Sequence, residues 1–140
     1  MTSFVDTSFF FALAVADDRD HDRVRAVFEE FEAKRLQDLW LTTNHVVLET
    51  IRLAKRVAGQ DAAVAIGERL YSEQLARIHW TTPREEKDAF TYLARHHDQG
   101  YSPVDCISFV VMEAYGMREA LTLDRHFTHH FIARPGPRPK

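Results

Sequence analysis

The chain has 140 residues, 45% hydrophobic and 28% charged, which is typical of one globular domain with its own core and not of a disordered protein. A formal net charge of -3 excludes nucleic-acid binding through an overall positive field, so any such binding would be local. The single cysteine, Cys106, excludes an internal disulfide framework and thiolate zinc sites. The N-terminus has no basic stretch and its apolar run breaks at Asp6, so we expect no signal peptide, no membrane span and a cytoplasmic protein.

Short strands and helices alternate in the first half of the chain. An apolar run ends at Asp6, and Val24, Val27, Phe28 and Phe31 later recur at helical spacing. The predicted elements are a strand over 3–5, a helix over 7–14, a helix that follows the loop 17–22 and runs to about residue 36, a strand over 39–41 and a helix over about 45–57.

The alternation continues in the second half. Ser102, Pro103 and Asp105 give the clearest helix start in the chain, because serine can cap, proline suits the first helical position and an acid favours the first turn. The predicted elements are helices over about 61–72, 83–97 and 103–115, short strands over 78–80 and 120–123, and a last apolar segment over 131–133.

This order predicts an α/β fold with a central, mainly parallel β-sheet flanked by helices on both faces. We expect a single domain over residues 1–134 and a flexible C-terminal tail over 135–140. Ligands of such sheets bind beyond the carboxyl ends of the strands, where Asp6 and Asp124 both fall. Trp40 and Trp80 suit either the core or an interface, and the sequence leaves both uses open.

Four acidic residues each have an ordinary structural interpretation when taken alone. Asp6 and Asp124 can cap the helical segments that follow them, and Glu49 falls on the polar arc of its helix. Asp105 is harder to explain as a surface acid, because the helix that it opens is apolar almost all round and must be buried. A cluster of these carboxylates persists only if cations offset their repulsion or some of them are protonated, and a hard divalent cation is the natural partner.

The four acids together carry a resemblance to a known family. The segments FVDTS, TTNHVVLE, SPVDCISFVVME and LTLDRHF, in this order, resemble the PIN-domain nucleases and, within them, the VapC toxins of type II toxin-antitoxin systems. The likeness covers nearly the whole chain. It implies a PIN-like fold in which Asp6, Glu49, Asp105 and Asp124 are both the catalytic and the metal-binding residues.

The resemblance also implies a function and partners. It implies a Mg²⁺- or Mn²⁺-dependent endoribonuclease toxin that hydrolyses RNA phosphodiester bonds and leaves a 3′-hydroxyl and a 5′-phosphate. Its implied protein partners are a cognate VapB-like antitoxin and a second copy of the chain in a homodimer. Which RNA is cleaved, and how many metal ions are bound, stay open.

Other functions are weighed against this one. A PIN nuclease of RNA processing or DNA cleavage, or a catalytically inactive PIN binding module, remains an alternative, although the intact set of four acids counts against the inactive module. An aspartyl phosphotransferase of the haloacid dehalogenase kind is disfavoured, because Ser8 stands where that motif needs a second aspartate.

Two further groups of residues allow both a functional and a structural interpretation. Arg52, Lys55 and Arg56 could bind RNA phosphates beside the metal site, or could form an ordinary charged face with a Glu49–Arg52 ion pair. Histidines at 126, 129 and 130 suggest zinc, but no cysteine or acid cluster of known spacing accompanies them. We expect no zinc site there.

Overall fold

A computed structural model describes the whole chain, Met1–Lys140. The strands are β1 (Ser3–Val5), β2 (Trp40–Thr43), β3 (Arg77–His79), β4 (Glu119–Thr122) and β5 (Ile132–Pro135). The helices are α1 (Thr7–Ala14), α2 (His21–Glu29), α3 (Asn44–Ala58), α4 (Gln60–Tyr71), α5 (Pro83–Arg95) and α6 (Pro103–Tyr115), with short 3-10 helices at Leu36–Asp38 and Arg125–His129. The longest helix, α3, has 15 residues, and no helix is long and apolar enough to cross a membrane.

The strands form one five-stranded sheet in the order β3-β2-β1-β4-β5, and every neighbouring pair is parallel. Successive residues of a strand point to opposite faces of the sheet, and every residue of β1 and β2 is buried. Both faces of the central strands are therefore covered. The α/β fold with a parallel sheet and flanking helices is confirmed.

The strand order reverses direction at β1, which lies between β2 and β4. The register pairs Val5 with Leu121, and the next amide, that of Asp6, donates to the Leu121 carbonyl at 3.1 Å. The carboxyl ends of β1 and β4 therefore lie side by side. Such a reversal opens a crevice at the carboxyl edge, which is where ligands bind in open parallel sheets.

Aromatic side chains fill much of the core. Trp40 is fully buried, and Phe9, Phe28 and Phe31 approach it edge-on with ring centroids 5.4 to 6.1 Å apart. Trp80, in contrast, is 61% exposed. The structure thus assigns Trp40 to the core and leaves Trp80 on the surface.

The predicted length of the second helix is wrong: α2 ends at Glu29 and not near Leu36. The apolar spacing that extended the prediction is real, because both Phe28 and Phe31 face the core. Phe31 reaches Trp40 from a turn beyond the helix, so tertiary packing accounts for its position and a further helical turn is not needed. The other predicted elements are present with ends shifted by a few residues.

The last strand lies at the predicted boundary between domain and tail. β5 includes Arg134, whose guanidinium pairs with Glu30 and Glu119, and ends one residue later, at Pro135. Beyond the strand, Nε of Arg138 lies 2.6 Å from Oδ1 of Asp20. Residues 135–140 also contact the domain at Gly136, whose amide donates to the Thr122 carbonyl at 3.0 Å, and at the carbonyls of Pro135 and Gly136, which accept from Arg23. Flexibility of this tail stays a prediction.

Candidate active site

Asp6 follows β1 and turns its side chain toward β4. It occupies the N-cap position of α1, but its carboxylate makes no capping hydrogen bond, so the interpretation of Asp6 as a helix cap is wrong. Its Oδ2 instead accepts hydrogen bonds from Thr122 Oγ1 at 2.8 Å and Ser8 Oγ at 3.0 Å. Only 4% of Asp6 is exposed, so a buried acid is held at the edge of the sheet.

Asp105 is fixed by the start of α6, as the sequence predicted. The amide of Asp105 donates to Ser102 Oγ at 3.0 Å, and Asp105 Oδ2 accepts from the Ser102 amide at 3.0 Å. This reciprocal pair is a capping box, and Pro103 stands at the first helical position. The box holds the carboxylate at the buried N-terminal end of α6.

Asp124 follows β4 and caps the short helix at Arg125–His129. Its Oδ1 accepts from the amide of His126 at 2.9 Å. The imidazole of the same histidine folds back on the site, with Nδ1 3.0 Å from Asp124 Oδ1 and 3.8 Å from Asp105 Oδ2. His126 therefore bridges two of the carboxylates.

The three aspartates, which come from separate parts of the chain, affect one another electrostatically. Burial, together with the nearby charges of Asp105 and Asp124, raises the pKa of Asp6 to about 7, although hydrogen bonds from Thr122 and Ser8 oppose the rise. Burial likewise raises the pKa of Asp105 to about 6, where the Asp124 charge adds to the effect and the Ser102 and His126 contacts oppose it. The site therefore concentrates negative charge that the protein only partly compensates.

Each of these carboxylates has one oxygen held by the protein and one that accepts no protein hydrogen bond. The held oxygens are Oδ2 of Asp6, Oδ2 of Asp105 and Oδ1 of Asp124. Ligand atoms of Asp105, Asp124 and His126 all lie within 4.8 Å of one another, close enough to hold one metal ion. Paired, oriented carboxylates with spare oxygens are the donor set that hard divalent cations prefer, so the residues present fit such an ion.

Glu49 stands apart from the three aspartates. It is half-buried on α3 and makes no hydrogen bond or ion pair with them. It does line a cleft of about 760 Å³ together with Thr7, the residue after Asp6. The structure thus brings three of the four predicted acids together and sets the fourth in the adjoining cleft.

Some residues of the site were not assigned a role from the sequence. Ser8 and Thr122 orient Asp6, although Ser8 and Thr122 lie 114 positions apart in the chain. In the sequence, His126 has a place in the LTLDRHF segment and a disfavoured zinc interpretation, but no predicted contact with the acids. In the structure it joins Asp105 and Asp124, whereas His129 Nδ1 hydrogen-bonds with the Tyr101 hydroxyl at 2.6 Å. The only sequence feature that could have pointed to Thr122 is that it is a polar residue two positions before Asp124.

The protein is thus an α/β protein with a buried carboxylate site where the strand order of its parallel sheet reverses. The PIN domain family matches residues 3–130, nearly the whole chain. The chain belongs to the PIN domain family.

Its similarity to individual proteins is more specific. The chain is 35% identical, over 125 residues, to the 23S rRNA-specific endonuclease VapC20 of two Mycobacterium tuberculosis strains, an alignment that covers 89% of this chain and 91% of the relative. The crystal structure of M. tuberculosis VapC20, described as a sarcin-ricin loop cleaving toxin, matches with a TM-score of 0.82 at 34% identity, over 91% of this chain and 94% of that one. Sequence and structure together assign the chain to the VapC proteins.

More distant structures share the fold alone. PAE2754 of Pyrobaculum aerophilum matches with a TM-score of 0.66 at 17% identity, over 95% of this chain and 89% of that one. A DNA-bound VapBC of Salmonella typhimurium matches with a TM-score of 0.66 at 15% identity, over 95% of this chain and 96% of that one. The fold thus tolerates extensive change of sequence.

Proposed function

We propose that this protein is the endoribonuclease toxin of a VapBC-type toxin-antitoxin pair. It hydrolyses RNA phosphodiester bonds at the site formed by Asp6, Asp105 and Asp124 with Glu49, and it requires Mg²⁺ or Mn²⁺. Membership of the VapC proteins supports the reaction class, since the M. tuberculosis relative is named as an rRNA endonuclease.

One observation carries the metal requirement: the fold gathers the carboxylates of Asp6, Asp105 and Asp124 at one edge of the sheet, with Asp6 only 4% exposed. Burial and the neighbouring charges raise the pKa of Asp6 to about 7. Buried carboxylates in such proximity cost free energy unless protons or cations neutralise them. The fold nevertheless preserves them, with one oxygen of each oriented and the other left available. A cation that binds these oxygens would remove the repulsion between the carboxylates, and cation binding therefore explains why the fold places them together.

The protein side chains prepare the site before RNA binds. Ser8 and Thr122 fix the plane of the Asp6 carboxylate, and the Ser102 amide fixes that of Asp105. His126 restrains Asp124 through its own amide and keeps its imidazole between Asp124 and Asp105. A bound Mg²⁺ or Mn²⁺ supplies charge neutralisation at the phosphodiester and makes water a better nucleophile there.

Glu49 has a different part in the proposal. It lies in the cleft beside Thr7, where its carboxylate can orient a water molecule or hold a second cation at the margin of the site. Its half-exposed position suits a group that meets solvent and substrate, whereas only 4% of Asp6 is exposed. We therefore expect Glu49 to affect cleavage rate more than metal affinity.

The function is tested by incubating the purified protein with total cellular RNA and with purified ribosomal RNA, in Mg²⁺, Mn²⁺ or chelator. We expect discrete cleavage with either ion, none with chelator, and none with Asp6→Asn or Asp105→Asn. Sequencing the new 5′ ends identifies the substrate, and ribosomal RNA is tested first because the relative acts on it. Cleavage by both variants at the parental rate would disprove this chemistry.

An antitoxin and a homodimer are part of the same proposal. A chain that cleaves essential RNA must be held inactive by a co-encoded partner, so expression alone should arrest growth and co-expression of the neighbouring small open reading frame should restore it. Growth arrest that persists in the Asp105→Asn variant would show that toxicity does not come from this site. Sedimentation of the purified chain measures its oligomeric state.

A further inference from the structure

Three cations of α3 lie in the cleft beside the acidic site, and no role has yet been given to them. We call this feature the basic cleft. It has a volume of about 760 Å³, and its lining residues are Thr7, Glu49, Arg52, Leu53, Lys55 and Arg56.

The basic cleft is continuous with the proposed active site. Thr7 directly follows Asp6, and its hydroxyl is buried without a hydrogen-bond partner. Glu49 lines the cleft and is also one of the four acids of the proposed function. From Glu49 to Arg56 the helix rises about 10 Å, so the cations extend away from the acids along one side of α3.

The cations of the basic cleft have no carboxylate partner within ion-pair distance. Elsewhere on the helices, arginines do form ion pairs with acids four residues away, as in Arg25–Glu29 on α2 and Arg84–Asp88 on α5. The Glu49–Arg52 pair that the sequence allowed is not among the ion pairs of the structure. The interpretation of these residues as an ordinary, internally paired charged face is therefore not supported.

Unpaired like charges on one helix face have a small cost. Arg52 and Arg56 stand four residues apart, a spacing at which like charges destabilise a helix by a few tenths of a kcal/mol. Lys55 and Arg56 lie in the last turn of α3, where the helix dipole offsets a cost of this size, and all three cations are exposed. An anionic ligand bound in the basic cleft would offset the repulsion between Arg52 and Arg56 by attracting both side chains.

We propose that the basic cleft binds the RNA backbone next to the scissile bond, with Arg52, Lys55 and Arg56 contacting phosphates. This rests on the proposed function and adds the direction in which RNA leaves the acidic site. RNA is favoured over an acidic peptide because the basic cleft adjoins the proposed active site through Thr7, the residue after Asp6. A protein of net charge -3 also needs a local group of cations to hold RNA at all.

The test measures binding separately from cleavage. In the Asp105→Asn background with Mg²⁺, fluorescence anisotropy of a labelled 12-nucleotide single-stranded RNA is followed over a series of KCl concentrations. The double variant Arg52→Gln/Arg56→Gln should reduce the slope of log affinity against log salt by about 1.4, because each phosphate contact contributes about 0.7. From a common affinity at 1 M KCl, this amounts to about 25-fold weaker binding at 0.1 M.

Matched controls come from the opposite edge of the sheet. Arg77 begins β3 and Arg118 immediately precedes β4; both are exposed and neither forms an ion pair, so Arg77→Gln/Arg118→Gln removes the same charge in the wrong place. Its salt slope should stay at the parental value. The charge-conserving Arg52→Lys/Arg56→Lys variant should also keep most of the slope, and circular dichroism verifies that each variant is folded.

The outcomes separate this inference from the proposed function. If the parent cleaves RNA and the double variant keeps the parental slope, the basic cleft does not bind RNA while the function stands. An equal loss in both double variants would also overturn it, because only net charge would then matter. If RNA binding is unchanged but a co-expressed antitoxin no longer co-purifies, the basic cleft belongs to that protein. A parent that neither binds nor cleaves RNA disproves the proposed function itself.

Discussion

Replacement of Asp6 by asparagine is expected to stabilise the metal-free protein at alkaline pH while it abolishes RNA cleavage. Asparagine has almost the same shape as aspartate, and its carbonyl oxygen can accept the bonds from Ser8 and Thr122 that now go to Asp6 Oδ2. It carries no charge, so the repulsion from Asp105 and Asp124 disappears. An acid that served only the fold would behave in the opposite way.

The magnitude follows from the pKa of Asp6, which burial raises from an ordinary value of 3.8 to about 7 in the folded protein. A raised acid pKa means that folding disfavours the ionised form, so this penalty is absent at low pH, grows as pH rises from about 4, and is complete above about 7. At about 1.4 kcal/mol per pKa unit, its ceiling is about 4 kcal/mol. Half of that corresponds to a rise in Tm of roughly 8 °C for a domain of this size.

The assay is urea unfolding of the parent and Asp6→Asn in chelator at pH 4 and pH 8. We expect nearly equal free energies of unfolding at pH 4 and a more stable variant at pH 8. Saturating Mg²⁺ should narrow the difference at pH 8, because a cation that binds the native carboxylates stabilises the parent.

A second buried acid provides the control. Asp20 is also buried, and although burial alone would raise its pKa, hydrogen bonds from Arg138 and Arg23 hold that pKa below its usual value. Asp20→Asn should therefore lower stability at pH 8. If Asp6→Asn is also less stable than the parent at pH 8 without metal, the carboxylate repulsion described here does not exist in solution.

The remaining predictions concern the metal, the cleft and the core. Millimolar Mg²⁺ should raise the Tm of the parent but not of Asp105→Asn, and an equal rise in both would exclude Asp105 as a ligand. Glu49→Gln should slow single-turnover cleavage by about 10- to 100-fold with little change in Tm, whereas an unchanged rate would remove Glu49 from the site. Phe109→Ala should cost about 3 to 5 kcal/mol in urea unfolding, since the ring is fully buried against Tyr101 and Phe127, and a loss below about 1 kcal/mol would contradict that packing. Arg138→Gln should cost no more than about 1 kcal/mol, because the guanidinium is partly exposed, and a larger fall in stability would mean that the tail is integral to the domain.

The sequence predicted the parts of the fold that depend on local chemistry. The start of α6 is the best case, because Ser102, Pro103 and Asp105 specify a capping box through contacts three residues apart. The alternation of apolar strands and helices was likewise enough to predict a parallel sheet. Both signals lie within a few residues and need no knowledge of the rest of the chain.

The parts that depend on distant residues were not available from local patterns. Helical periodicity put Glu49 on a polar arc, and only the family resemblance pointed to its place in the set of four acids. The contacts of Asp6 with Thr122 join residues 116 positions apart, and no local rule predicts them. Local patterns also fail to predict the absence of a Glu49–Arg52 ion pair, because that absence depends on side-chain conformations in a cleft between two helices.

The pairing of β1 with β4 also determines when the protein can become active during its synthesis. Asp6, after β1, is made well before its partner strand, because Thr122 at the end of β4 lies 116 positions later in the chain. A partly made chain therefore carries Asp6 without the neighbours that complete the site, and it cannot assemble the cluster until almost all of the domain has been translated. For an enzyme proposed to cleave cellular RNA, this long-range strand pairing delays activity until the segment that carries Asp124 has been made.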